Sequence, residues 1–130
     1  MSDQPSLTEM IDAIIKTFIV AHADDTDAHL AQALVYNAGR LAWRLREQGV
    51  DISQKTDRAD VVTDADFAAE RFVAGVLEAL RGEDGIVGEE GANRESKSGR
   101  TWVIDPVDGT FNFASGFDYW CSALALTDTS

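Results

Sequence analysis

Asp105 and Asp108 stand on either side of Pro106 in the run Trp102-Val103-Ile104-Asp105-Pro106-Val107-Asp108-Gly109-Thr110, directly after an apolar, strand-like segment. Proline fixes its own φ and has no N–H, so the chain is expected to turn there, and a tight turn can bring the two carboxylates to a shared point. Anions held that close repel, and each pKa rises unless a cation compensates. Hard oxygen donors suit Mg²⁺, Mn²⁺ or Ca²⁺ rather than zinc. Gly109 lets the backbone approach a ligand, and Thr110 offers a hydroxyl at what reads as the start of a short helix, where free N–H groups favour phosphate. The same residues also read as a hairpin. Asp-Gly between apolar runs is a common turn signal, with Val103, Val107, Phe111 and Phe113 as flanking strand residues. Both readings are open on this segment alone.

Two further acidic groups lie upstream. The stretch Asp84-Gly85-Ile86-Val87-Gly88-Glu89-Glu90-Gly91 reads as a short apolar strand running into paired glutamates. Neighbouring strand residues point to opposite faces, so only one of Glu89 and Glu90 is expected to face a site shared with Asp105. Lys55 and the run Asp60-Val61-Val62-Thr63-Asp64-Ala65-Asp66 precede a helix. Taken singly, each acidic pair reads equally as a solvated loop.

Taken together and in order, Lys55, the segment 60–66, Gly88-Glu89-Glu90, the segment 105–110 and Asn112-Phe113 resemble the inositol monophosphatase family of metal-dependent, lithium-sensitive phosphatases. The resemblance covers residues 55 to 126. It implies Glu89, Asp105 and Asp108 as ligands of Mg²⁺, or Mn²⁺, with the Val107 carbonyl as a further donor. Gly109, Thr110 and Asp108 would hold the phosphate. Asp66, Glu89 and Thr110 would be catalytic, with Asp66 and Thr110 orienting the attacking water, and Lys55 and Glu90 would be secondary. Within the family, Asn112-Phe113 resembles the inositol or general sugar phosphate branch, so myo-inositol 1-phosphate is the expected substrate. Histidinol phosphate, fructose 1,6-bisphosphate and nucleotide bisphosphates are alternatives.

That assignment is chemically coherent. A phosphate monoester repels nucleophiles, and divalent ions neutralise its oxygens while acidifying a bound water, so no covalent phosphoenzyme is needed. No side chain reads as a nucleophile: Cys121, the only cysteine, is expected to be a buried strand thiol. His22 and His29 lack ligand-like spacing and read as surface or helix-flanking residues. The rival of a different class is a non-catalytic module that binds divalent ions or a partner.

Composition narrows the field. The 130 residues are 45% hydrophobic and carry 23 acidic against 11 basic residues, a formal charge of -12 and a pI near 4.3. That is about one domain's worth of core, and too acidic to neutralise nucleic-acid phosphates. The apolar stretch 10–23 contains Asp12 and Lys16 and no basic leader, so neither a secretory signal nor a membrane span is expected. A cytoplasmic protein acting on a small phosphorylated substrate, without nucleic acid or membrane, is the resulting expectation.

The resemblance implies that an α+β fold positions these residues: two long helices packed on a mostly antiparallel sheet, the first half of the layered αβαβα sugar-phosphatase fold. Residues 1–24 read as an extra helical segment that the resemblance does not cover. Asp24-Asp25-Thr26-Asp27 offers caps for a helix ending near Gly49, with Leu30, Leu34, Leu41 and Leu45 at helical spacing. Trp43 and Tyr36 read as packing or partner-interface residues. Residues 50–63 read as extended, and Thr63 and Asp64 as the start of a second helix whose apolar face is Phe72, Val73, Val76, Leu77 and Leu80. Asp66 would then lie in the first helical turn, where a carboxylate also has the structural role of bonding free N–H groups. The mixed-charge loop 92–99 reads as mobile. The family's second half supplies another aspartate ligand and most substrate-selecting residues. These 130 residues lack it, so they are expected to be catalytically silent alone. They would also leave a sheet edge open near Leu124 to Asp128, where a homodimer could form.

Overall fold

The structure is a computed structural model and describes residues 6–52, 58–108 and 121–128, with side chains for 6–48, 64–106 and 121–128. Three helices, α1 (Leu7–His22), α2 (Asp27–Ile52) and α3 (Arg58–Leu80), precede four strands, β1 (Gly85–Gly88), β2 (Asn93–Arg94), β3 (Arg100–Asp108) and β4 (Cys121–Asp128). The sheet order is β2-β1-β3-β4. The outer pairings are antiparallel, and the central β1–β3 pairing is parallel. The expected α+β class with a mostly antiparallel sheet is therefore present, and the parallel pair at its centre is the addition. No helix among the described residues is long and apolar enough to cross a membrane.

Local chemistry sets the helix starts. Ser6 caps α1 by accepting the Glu9 N–H at 3.1 Å, and Thr26 caps α2 by accepting the His29 N–H at 3.2 Å. Leu30, Leu34, Ala38 and Ala42 form a buried stripe on α2, facing Phe72, Val73, Val76 and Leu77 of α3. Beneath lie Ile86, Trp102 and Ile104, one face of the sheet. Val87 and Val103, on the alternate positions, are exposed. The segment 1–24 does contain a helix, and α1 packs on α3 through Ile11 and Phe18. The Phe18 ring meets Phe72 edge-on at 5.2 Å.

Four expectations are corrected. Residues 50–52 and 58–63 are helical rather than extended, since α2 continues to Ile52 and α3 starts at Arg58; residues 53–57 lie outside the described residues. The β-branched run Val61-Val62-Thr63 costs only about tenths of a kcal/mol per residue in a helix, too little to break one. Pro106 does not end the strand. β3 runs through it, and Asp105 opposes Ala123 while Asp108 opposes Cys121, so β3 carries one extra residue there, a bulge. That register also rules out a tight Asp108-Gly109 hairpin, because the partner of β3 begins at Cys121. Cys121 is exposed rather than buried, since it alternates with Ser122 and Leu124 onto the outward face. The loop 92–99, finally, is tied down. Part of it is β2, and Lys97 and Ser98 N–H groups donate to the Glu83 carbonyl at 2.9 and 3.0 Å.

The N-terminal end of the parallel pair is closed by charge. Asp84, buried at 5% exposure, accepts from Trp102 Nε1 at 2.9 Å, Ser98 Oγ at 2.7 Å and Arg100 Nη2 at 3.2 Å. Arg100 also reaches Asp27 at 2.9 Å, and Arg81 holds the same carboxylate at 2.9 Å, tying α2 and the end of α3 to the sheet. This leaves the opposite end, where β1 and β3 finish, for chemistry.

Candidate active site

β1 and β3 run parallel with Gly88 beside Ile104, so the residues that follow each come out at the same end of the sheet. Glu89 stays attached there, its N–H donating to the Ile104 carbonyl at 3.3 Å, one residue before Asp105. The β3 bulge begins at Asp105. Ser122 Oγ donates to the Pro106 carbonyl at 2.6 Å, which fixes the irregular backbone against β4.

Asp66 meets these residues from the helical layer. It lies about two turns inside α3, so the reading as a helix-start carboxylate does not hold. It is 7% exposed, and its Oδ1 is buried with no hydrogen-bond partner among the described residues. Burial pushes its pKa up from the usual carboxylate range to about 7, helped by a hydrogen bond and repulsion from Glu90 and by the charges of Asp105 and Glu89. Such an acid has no stabilising role in the fold, and a strongly perturbed carboxylate at the ends of two strands marks a functional site.

Of the two glutamates, which lie in the turn beyond the end of β1, Glu90 is half-buried and hydrogen-bonded to Asp66, whereas Glu89 is exposed and acts on Asp66 only through its charge. The turn is held by a residue that sequence reasoning missed, Glu70. It sits four residues after Asp66 on α3 and accepts the Glu90 and Ala92 N–H groups. The only sequence signal was the four-residue spacing, which puts two acids on one helical face.

Thus Glu90 is in hydrogen-bond contact with Asp66, and Asp105 and Glu89 are near enough for their charges to act on it. For Val107 and Asp108 only the backbone is described, and Lys55, Gly109, Thr110, Asn112 and Phe113 lie outside the described residues. Among the described residues no three His, Cys, Asp or Glu side chains are close enough to hold a metal ion as they stand. The donor chemistry nevertheless fits a hard divalent cation: every side-chain group is a carboxylate, and Asp66 Oδ1 is buried without a hydrogen-bond partner among the described residues. His22 and His29 take no part. His22 bonds Asp25 at 2.7 Å, and His29 is exposed on α2.

Comparison with known proteins agrees with the geometry. A model of the inositol monophosphatase family matches residues 23–130. A histidinol-phosphatase of Mycobacterium tuberculosis is 41% identical over 104 residues, covering 78% of this chain and 39% of that protein. An inositol-1-monophosphatase of Rhizobium meliloti is 38% identical over 95 residues, covering 71% of this chain and 35% of that protein. Among solved structures, inositol monophosphatase II of Staphylococcus aureus superposes with a TM-score of 0.66 at 29% identity, over 78% of this chain and 37% of the other. The chain thus spans about two fifths of the length of the relatives it matches. The family match begins at residue 23, just beyond α1.

Proposed function

The chain belongs to the inositol monophosphatase family, and from that premise we propose that it carries the carboxylate half of a metal-dependent phosphomonoesterase active site. The observation that supports this most strongly is the convergence of Glu90, Asp105 and Glu89 on the buried, raised-pKa carboxyl of Asp66. In this reading Glu89, Asp105 and Asp108, with the Val107 carbonyl, hold Mg²⁺ or Mn²⁺. Such an ion supplies neutralisation of the phosphate oxygens and acidification of a bound water.

The chain's own residues do the rest. Asp66 Oδ1, which has no hydrogen-bond partner among the described residues, accepts a hydrogen bond from the attacking water and orients it towards phosphorus. Thr110 shares that task, and the backbone at Gly109 and Thr110 binds the phosphate oxygens. The water oxygen forms the new P–O bond as the bond from phosphorus to the ester oxygen breaks, and a proton given up by the attacking water ends on the leaving alcohol. Glu90, hydrogen-bonded to Asp66, keeps the carboxyl oriented.

The substrate is a small phosphorylated alcohol. Inositol 1-phosphate was the expectation from Asn112-Phe113, and the 41% identity to a histidinol-phosphatase supports histidinol phosphate as a second candidate. Phosphate release from both substrates, with Mg²⁺, with EDTA and with added lithium, tests the proposal. Release from either that requires Mg²⁺ and is suppressed by lithium is expected. Release that survives EDTA would contradict it. The assay belongs to a protein that includes the remaining family fold, because these 130 residues match only about two fifths of the relatives' length.

A further inference from the structure

Glu70 is 3% exposed, and charged side chains are rarely buried so fully without a specific partner. Its partners are two backbone donors of one turn: the Glu90 N–H reaches Oε1 at 3.0 Å and the Ala92 N–H reaches Oε2 at 2.9 Å. A carboxylate offers acceptors on both oxygens, whereas an amide of the same shape replaces one acceptor with a donor. Gly88 is shaped to this contact, because a Cβ built there would overlap the Glu70 carboxylate. The turn closes on itself through Gly88 N–H to the Ala92 carbonyl at 2.8 Å.

Burying a carboxylate costs desolvation that a neutral partner, or leaving the turn to water, would avoid. Two bonds from one rigid helix do something else: they fix where the turn presents its glutamates. Building on the functional reading above, we propose that Glu70 is a positioning residue, clamping the 88–92 turn to α3 so that Glu89 and Glu90 keep register with Asp66 on the same helix and Asp105 on β3. Gly88 is the other half of the device, because only a residue without a side chain lets the carboxylate reach both N–H groups.

The test compares wild type, Glu70→Gln, Glu70→Asp and Gly88→Ala by calorimetric Mn²⁺ titration, amide exchange and thermal melting without metal. Loss of an outer-shell contact of this kind typically weakens metal binding about 10- to 100-fold. Glu70→Gln and Gly88→Ala are each expected to fall in that range, with faster exchange at the Glu90 and Ala92 amides. Glu70→Asp, anionic but too short to reach both donors, is expected to fall between. The double variant is expected to be no worse than the weaker single, since both break one contact. A core variant, Leu34→Ala, controls for stability: at equal or greater loss of melting temperature it should keep its Mn²⁺ affinity. Wild-type-like affinity in Glu70→Gln, or an equal loss in Leu34→Ala, would overturn the inference. Absence of Mn²⁺ binding in wild type would instead overturn the functional reading on which it rests.

Discussion

Asp66 is the residue at which folding and function pull apart. Burial pushes its carboxyl pKa up to about 7 from an ordinary value of 3.8. Between those values the folded protein holds a proton that the unfolded chain has released, so without metal, stability falls as pH rises from about 4 to 7. Asp66→Asn removes the charge and the slope together. In EDTA, denaturant titrations at pH 4 to 8 are expected to show wild type losing up to a few kcal/mol across that window, while the variant stays nearly flat and is the more stable at pH 7. Parallel profiles would show that Asp66 is not desolvated as described. The same substitution is expected to lower phosphate release by the complete enzyme at least about tenfold, because an amide is a poorer acceptor for the water proton.

Among the elements, what could be read in advance was whatever local chemistry controls. The caps at Ser6 and Thr26, the Leu30 and Leu34 stripe and the Phe72 to Leu77 face all declare themselves by residue type and spacing. The start of α3 did not, because the β-branched run Val61 to Thr63 mimics a strand although it costs a helix little. Nor did the β3 bulge, since proline normally breaks a ladder, and the extra residue at 105–108 is visible only once Cys121 is seen opposite Asp108. Glu70 was illegible for a related reason: its partners are backbone N–H groups twenty residues away, and no side-chain pattern records them. The acids of the site were legible because their types and order match a family; their approach to Asp66 was not. At this scale α1 can be tested by itself. Phe18 is 7% exposed and locks α1 to Phe72, so Phe18→Ala is expected to cost about 3 kcal/mol and to raise amide exchange throughout α1. Unchanged exchange in α1 would mean that Ile11 alone anchors the helix.

The whole molecule is organised from one end of the sheet to the other. At the end where β1 and β3 begin, Arg81 and Arg100 neutralise Asp27 and Asp84; at the end where they finish, the charges of Glu90, Asp105 and Glu89 act on the buried carboxyl of Asp66. Hydrogen bonding to Arg81, and then to Arg100, holds the Asp27 carboxyl below its ordinary range. A lowered folded pKa contributes stability that is present above about pH 4 and lost as pH falls through the folded value, the opposite sign to Asp66. Acid titration of Asp27→Asn is accordingly expected to show a weaker dependence of stability on pH below about 4 than wild type, while an identical acid limb would remove Asp27 from the network. The end rich in acids carries the central claim, that these carboxylates hold a divalent cation. Calorimetric Mn²⁺ titration of wild type beside Asp105→Asn tests it most directly. The account expects saturable binding in wild type and at least a tenfold loss in the variant with the fold intact by circular dichroism; superimposable isotherms for the two proteins would contradict it.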